Sequence, residues 1–187
     1  MRTIILLLAF LTAAPTAFGQ ELTPDKKKVW LNVGLGGYGT FTKAVDGGIS
    51  LLADVNVLQE SKQYKFALDI HQEFTLFGPN PAETYVGLSA QIGAAQHTKN
   101  MHVALLGGVG LVGGTIRGTN LQHTSGGFFS TEEYDSKTSL GVGLPVRAEL
   151  SLIPAKGFGL GISLFSNINT VRSVYGLAAI LSFGSVR

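Results

Sequence analysis

Asp69, His71 and Glu73 stand at alternate positions in the stretch KFALDIHQEFTLF (Lys65 to Phe77). Two carboxylates and an imidazole are the material of a metal site or a general-base cluster. In a strand, alternate side chains share a face, so the three form a row with about 7 Å between neighbours. A metal needs ligands that converge at roughly 2 Å. Three side chains along one strand do not converge unaided. The competing reading is a polar lining, in which buried charges are paired with each other. Asp54, Asn56, Ser89 and Gln91 fall on matching faces of neighbouring segments, and Arg147 and Glu149 on that of a later one. Arg147 would neutralise one carboxylate and His71 would hydrogen-bond to another. The lining reading is carried forward, with Asp54, Asn56, Asp69, His71, Glu73, Gln91, Arg147 and Glu149 as the expected polar set.

Other groupings offer less. His123 and Ser125 in LQHTSGG precede Glu132, Glu133 and Asp135, which is material for nucleophilic catalysis on a loop; a solvated polar loop accounts for the same residues. GLGGYG has the spacing of a nucleotide-binding glycine motif, but no helical pattern follows it, and the P-loop sequence is absent. Glycines in strands relieve crowding or mark bulges. The chain has no cysteine, which removes disulfides and thiolate chemistry. No catalytic set, metal or cofactor is expected.

Eight segments alternate with the period of a strand. They are Lys28 to Thr40, Gly47 to Leu58, Lys65 to Phe77, Thr84 to Gln96, Met101 to Ile116, Lys137 to Leu152, Phe158 to Asn169 and Ser173 to Gly184. Large aliphatic residues gather on one face: Val29, Leu31, Val33 and Leu35 in the first, Leu140, Val142, Leu144 and Val146 in the sixth. The other face is small or polar. The fifth segment is hard to phase, and Gln72 interrupts the apolar face of the third. Pro145 cannot donate to a ladder and predicts a bulge or a local break in pairing. The connectors QESKQ, HTKN and IPAKG are compact. The stretch Arg117 to Lys137 is expected to be a long loop carrying Phe128, Phe129 and Tyr134 as exposed aromatics that could meet a partner or the membrane interface.

Period alone does not separate a soluble sheet from a membrane barrel. The character of the faces does: small residues with a few polar groups suit the inside of a narrow eight-stranded barrel, and the aliphatic face suits lipid. Charged residues make up 14% of the 187, against about 25% in ordinary globular domains. Arg2 followed by Ile4 to Leu11 and small residues at Ala17 and Gly19 reads as a signal peptide over 1–19. An extension over 20–27 and a barrel domain over 28–187 follow. Net charge is +2 for the whole chain, too little to argue for nucleic acid.

With these residues in view, the pattern resembles the eight-stranded outer-membrane barrels similar to the OmpA membrane domain and OmpX. The stretch Gly143 to Gly184, and FTLFGPNPAE, look like a group of uncharacterised outer-membrane β-barrel proteins of Bacteroidetes-type bacteria. The last segment, with Leu177, Ala179, Leu181 and Phe183, is similar to the assembly signal of such barrels, although the chain ends SVR and not on an aromatic residue. The resemblance implies an all-β, eight-stranded antiparallel up-and-down transmembrane barrel in the bacterial outer membrane. It implies outer-membrane lipid and the barrel-assembly machinery as partners, with room for an extracellular or periplasmic one. The expected role is structural or surface interaction, with a polar-filled interior and no open pore. Two alternatives stand: an enzyme acting on lipid A or phospholipid, and a soluble periplasmic barrel binding an apolar ligand.

Overall fold

A computed structural model describes residues 27–41, 47–74, 81–124 and 132–185. The eight strands are β1 (Lys28–Thr40), β2 (Gly48–Gln59), β3 (Lys62–Glu73), β4 (Thr84–His97), β5 (Met101–Thr124), β6 (Glu132–Ala155), β7 (Phe158–Asn169) and β8 (Val174–Gly184). Each pairs antiparallel with the next, and β1 pairs with β8, so the sheet closes on itself. Closure pairs every wall strand on both sides and leaves no edge within the wall. The expected signal peptide lies outside the described residues.

The alternation seen in the sequence is the inside–outside alternation of the wall. Val29, Leu31, Val33 and Leu35 point outward from β1, as do Leu140, Val142, Leu144 and Val146 from β6. In β5 the inward set is His102, Ala104, Leu106 and Val112. Glycine at both parities hides that phase in the sequence. Close packing inside the wall requires some of the glycines. A Cβ on Gly93 would stand 2.7 Å from the Leu106 Cα, and one on Gly36 would stand 2.7 Å from the Ala178 Cβ.

Gln72 does point outward. It sits at the last turn of β3 toward the Thr84 end of β4, and its Oε1 accepts from the Thr84 hydroxyl at 2.6 Å. Pro145 breaks pairing without shifting register. The carbonyl of Val142 faces β7, where it accepts from Thr170 N at 3.3 Å. Backbone groups alternate sides along a strand, so Pro145 turns its donorless nitrogen to β5. There the ladder skips from Gly107↔Val146 to Gly110↔Gly143 with its register intact.

The ends of the barrel differ. At one end the turns are tight: Glu60 and Ser61 alone join β2 to β3, with Glu60 at φ 56°, and Lys156 and Gly157 join β6 to β7. At the other end β5 and β6, 24 residues each, run on past their neighbours. Pairing with β4 stops at Thr115 and pairing with β7 stops at Gly143. Much of the expected loop from Arg117 to Lys137 is therefore strand. Leu121 pairs with Tyr134 and His123 with Glu133, with register shifts beside them. The sequence hid this because a hairpin beyond the wall has no apolar face to alternate against. Tyr134 belongs to β6, whereas Phe128, Phe129 and Ser125 lie outside the described residues.

Candidate functional site

The inward side chains stack in layers along the barrel axis. At the tight-turn end, Trp30, Leu58, Leu106 and Ile153 form an apolar floor with Ala95 and Ala104. The Trp30 ring meets His102 edge-on, with centroids 5.2 Å apart. The one tryptophan thus faces the lumen and not a lipid boundary.

Above the floor lies a buried ion network. Arg147 on β6 reaches across the lumen to Asp69 on β3, its Nη2 2.8 Å from both carboxylate oxygens, and its Nη1 stands 3.3 Å from Asp54 on β2. Lys65 Nζ lies 2.8 Å from Asp54 and 2.5 Å from Glu149. Asn56 donates to Asp54 at 2.6 Å, and Gln63 donates to Asn56 at 2.8 Å. The Arg147 and Lys65 side chains are 2% and 0% exposed. Charges this deep are tolerated only when paired and hydrogen-bonded. Two cations here face three carboxylates, and each cation is shared between two of them.

The next layer is aromatic. His71 stacks on Phe165 with centroids 5.6 Å apart and leans on Tyr38 at 5.2 Å, while its Nδ1 meets the Ser50 hydroxyl at 2.8 Å. Leu52, Tyr85, Val112, Val174 and Ala178 complete the layer.

A second ion cluster closes the long-hairpin end. Glu73 pairs with Arg117, and Glu73 Oε2 also accepts from the Glu83 amide at 2.8 Å. Arg172 donates to both Glu83 carboxylate oxygens, at 2.7 and 3.2 Å, and the Arg117 amide donates to Glu83 at 3.0 Å. Arg172 is presented by the β7–β8 turn, which Asn169 shapes: its Oδ1 accepts from the Val171 and Arg172 amides at 2.9 and 2.6 Å.

The Asp69, His71, Glu73 row is therefore divided among three layers. Asp54, Asn56, Asp69, Arg147 and Glu149 meet in one network; His71 and Glu73 do not join it. Gln91 lines the lumen but bonds to Ser89 at 2.9 Å. No group of three or more His, Cys, Asp or Glu side chains among the described residues is arranged to hold a metal ion.

Sequence reasoning missed several members. Lys65 and Gln63 share the parity of Asp69, so extending the face back from Ala67 along β3 finds Lys65 two residues on and Gln63 four. Glu83 and Arg172 sit in connectors, and Arg117 lies at the edge of the wall, where period gives no signal.

The outer face completes the picture. Large aliphatic side chains are exposed on all eight strands. Outward aromatics lie toward both ends: Phe41 packs on Tyr175 at the long-hairpin end, and Phe158 on Phe183 at the tight-turn end. Eight residues separate Tyr175 from Phe183, about 27 Å along the strand.

The protein is an eight-stranded up-and-down β-barrel with the fold of the small outer-membrane barrels. Neisserial surface protein A shares it at a TM-score of 0.60 with 10% identity, over 84% of this chain and 96% of that one. Ail, the attachment invasion locus protein of Yersinia pestis, superposes at 0.53 with 11% identity, over 87% and 99%. The N-terminal barrel domain of Pseudomonas aeruginosa OprF superposes at 0.51 with 11% identity, over 84% and 98%. No family model and no curated protein matches the sequence.

Proposed function

We propose that this chain is a small outer-membrane barrel with a structural or surface-interaction role and a lumen closed to solutes. The observation that carries the reading is the exposed aliphatic face around the whole wall. In water such a surface would drive aggregation; in lipid it is the expected exterior. Apart from the gap at Pro145, the wall strands supply the backbone partners that a bilayer withholds. The outward aromatic pairs toward both ends fit interfacial positions. Outer-membrane lipid is then the solvent of the wall, and the barrel-assembly machinery inserts it, with β8 as the strand that resembles an assembly signal.

Closure rests on the layers inside. A solute passing through would have to displace an apolar floor, a shared-ion network, an aromatic layer and a second ion cluster. The soluble-carrier reading needs an apolar cavity and is disfavoured by that filling. The lipid-enzyme reading is disfavoured because His71 points inward, away from a lipid substrate. The interaction surface is assigned to the β5–β6 hairpin beyond Thr115 and Gly143, to which Tyr134, Phe128 and Phe129 belong in sequence.

The test combines fractionation with recordings in planar bilayers. The folded chain is expected in the outer-membrane fraction, with heat-modifiable gel mobility and no steady current. A steady single-channel conductance would overturn closure, and recovery as a soluble periplasmic protein would overturn the location. Lipid A mass spectrometry on a deletion strain is expected to show an unchanged acyl pattern.

A further inference from the structure

We propose that His97 and His102 form a two-histidine site for a divalent transition-metal ion at the tight-turn end of the lumen. The two residues stand directly opposite each other in the β4–β5 ladder, so their side chains share one face. Their Nδ1 atoms are 3.3 Å apart. Two imidazole nitrogens bound at 2.0–2.1 Å to one tetrahedral ion are separated by about 3.3 Å, so the distance matches, and the ion would replace the proton that the two Nδ1 atoms now share, His97 keeping its N–H on Nε2.

The hydrogen bonds fix which nitrogen of His102 is offered. Gln63 donates its amide nitrogen to Asn56, which leaves Gln63 Oε1 as an acceptor. His102 Nε2 lies 2.9 Å from that oxygen and must carry the proton. The lone pair of His102 is therefore on Nδ1, facing His97. A ligating histidine ordinarily has its other N–H held by an oxygen in this way. Trp30 packs edge-on against the His102 ring and holds it in place.

The site is reached from the aqueous end. His102 is buried, whereas His97 is half-buried beside the turn of Thr98 to Asn100. Two protein ligands leave the remaining positions to water, which makes the ion exchangeable. Imidazole donors select copper, nickel or zinc over magnesium or calcium. Lys65 and Lys28 are the charges that act on His102. Lys65, the stronger of the two, is shared between Asp54 and Glu149, and Lys28 adds to it.

Copper(II) supplies the test, because a bound ion with an unfilled d shell quenches a neighbouring indole and Trp30 is the one tryptophan in the chain. The untagged barrel, folded in detergent, is titrated with copper(II) while Trp30 emission is read. The expected result is saturable quenching reversed by a chelator. His97→Ala should raise the midpoint about tenfold or more, and His123→Ala, on the distant hairpin, should leave it unchanged. Equal quenching in wild type and His97→Ala overturns the site, as does quenching that never saturates. If His97→Ala does not reach the folded gel mobility, the wild type decides alone: zinc must raise its urea midpoint, and an unmoved midpoint refutes the proposal.

Discussion

Arg147 offers the sharpest test of the lumen network. It makes two 2.8 Å contacts with Asp69 and a third at 3.3 Å with Asp54, and it is 2% exposed. Arg147→Met keeps much of the side chain's length and removes its charge. Three buried carboxylates then face Lys65 alone, and Asp69 loses both its bonds. Removing one partner of a buried pair costs about 3–5 kcal/mol, because the other charge stays buried without compensation. Asp69→Asn leaves two carboxylates against two cations, so its cost is that of weakened hydrogen bonds, about 1–3 kcal/mol. In the double variant Asp69→Asn with Arg147→Met, two carboxylates face one cation. That restores the wild-type excess of one negative charge, and the one ionised group left beside the missing guanidinium, Asp54, is still paired with Lys65.

The double variant should therefore be more stable than Arg147→Met alone, by about 2 kcal/mol, although it carries one more substitution. Urea unfolding in lipid vesicles, followed by Trp30 emission and by gel mobility, measures all four members of the cycle. A double variant whose loss equals the sum of the two single losses would falsify the pairing. A fully stable Arg147→Met would show that the guanidinium compensates nothing.

Three further outcomes follow from the geometry. Glu83→Gln weakens its contacts with Arg172 and the Arg117 amide, but the Arg172 side chain is 15% exposed and can turn to water; the loss should be about 1–2 kcal/mol, below that of Arg147→Met in the same urea assay. Gly93→Val forces a side chain against the Leu105–Leu106 backbone and should cost about 1–3 kcal/mol or prevent folding, read as loss of the heat-modifiable band. Glu60 holds a left-handed conformation at φ 56° in a two-residue turn. Glu60→Asn, which tolerates that region better, should raise the urea midpoint by the equivalent of about 0.5–1 kcal/mol, and a lowered midpoint would count against the strain.

The wall was legible because lipid outside and a narrow lumen inside impose opposite demands on successive residues. β1 and β7 have the bounds read from the sequence, and outward residues such as Leu31 and Leu160 were phased by their neighbours alone. β5 was not, since glycine stands at both parities from Gly107 to Gly114. The hairpin above Thr115 was not either, because both of its faces lie beyond the wall and alternation has nothing to report there. Lys65 was legible and missed, being two residues from Ala67 on a face already identified. Arg117 and Arg172 were not legible. Their partnership with Glu73 and Glu83 depends on which connectors meet over the mouth, and that follows from closure of the sheet.

The division of the Asp-x-His-x-Glu row follows from the same closure. One strand sets its alternate side chains about 7 Å apart along the wall. Each level of a closed barrel presents a different set of opposing side chains. Asp69 meets the arginine of β6, His71 the phenylalanine of β7 and the serine of β2, and Glu73 the arginine of β5. A site that needs three groups at one point cannot be built along one strand of such a wall. It must come from different strands at one level, as Asp54 of β2, Lys65 of β3 and Glu149 of β6 come together across the lumen here, or from a directly opposed pair such as His97 and His102. In a barrel, then, spacing along a strand marks a stave of the lining, and chemistry is to be sought across the ladder.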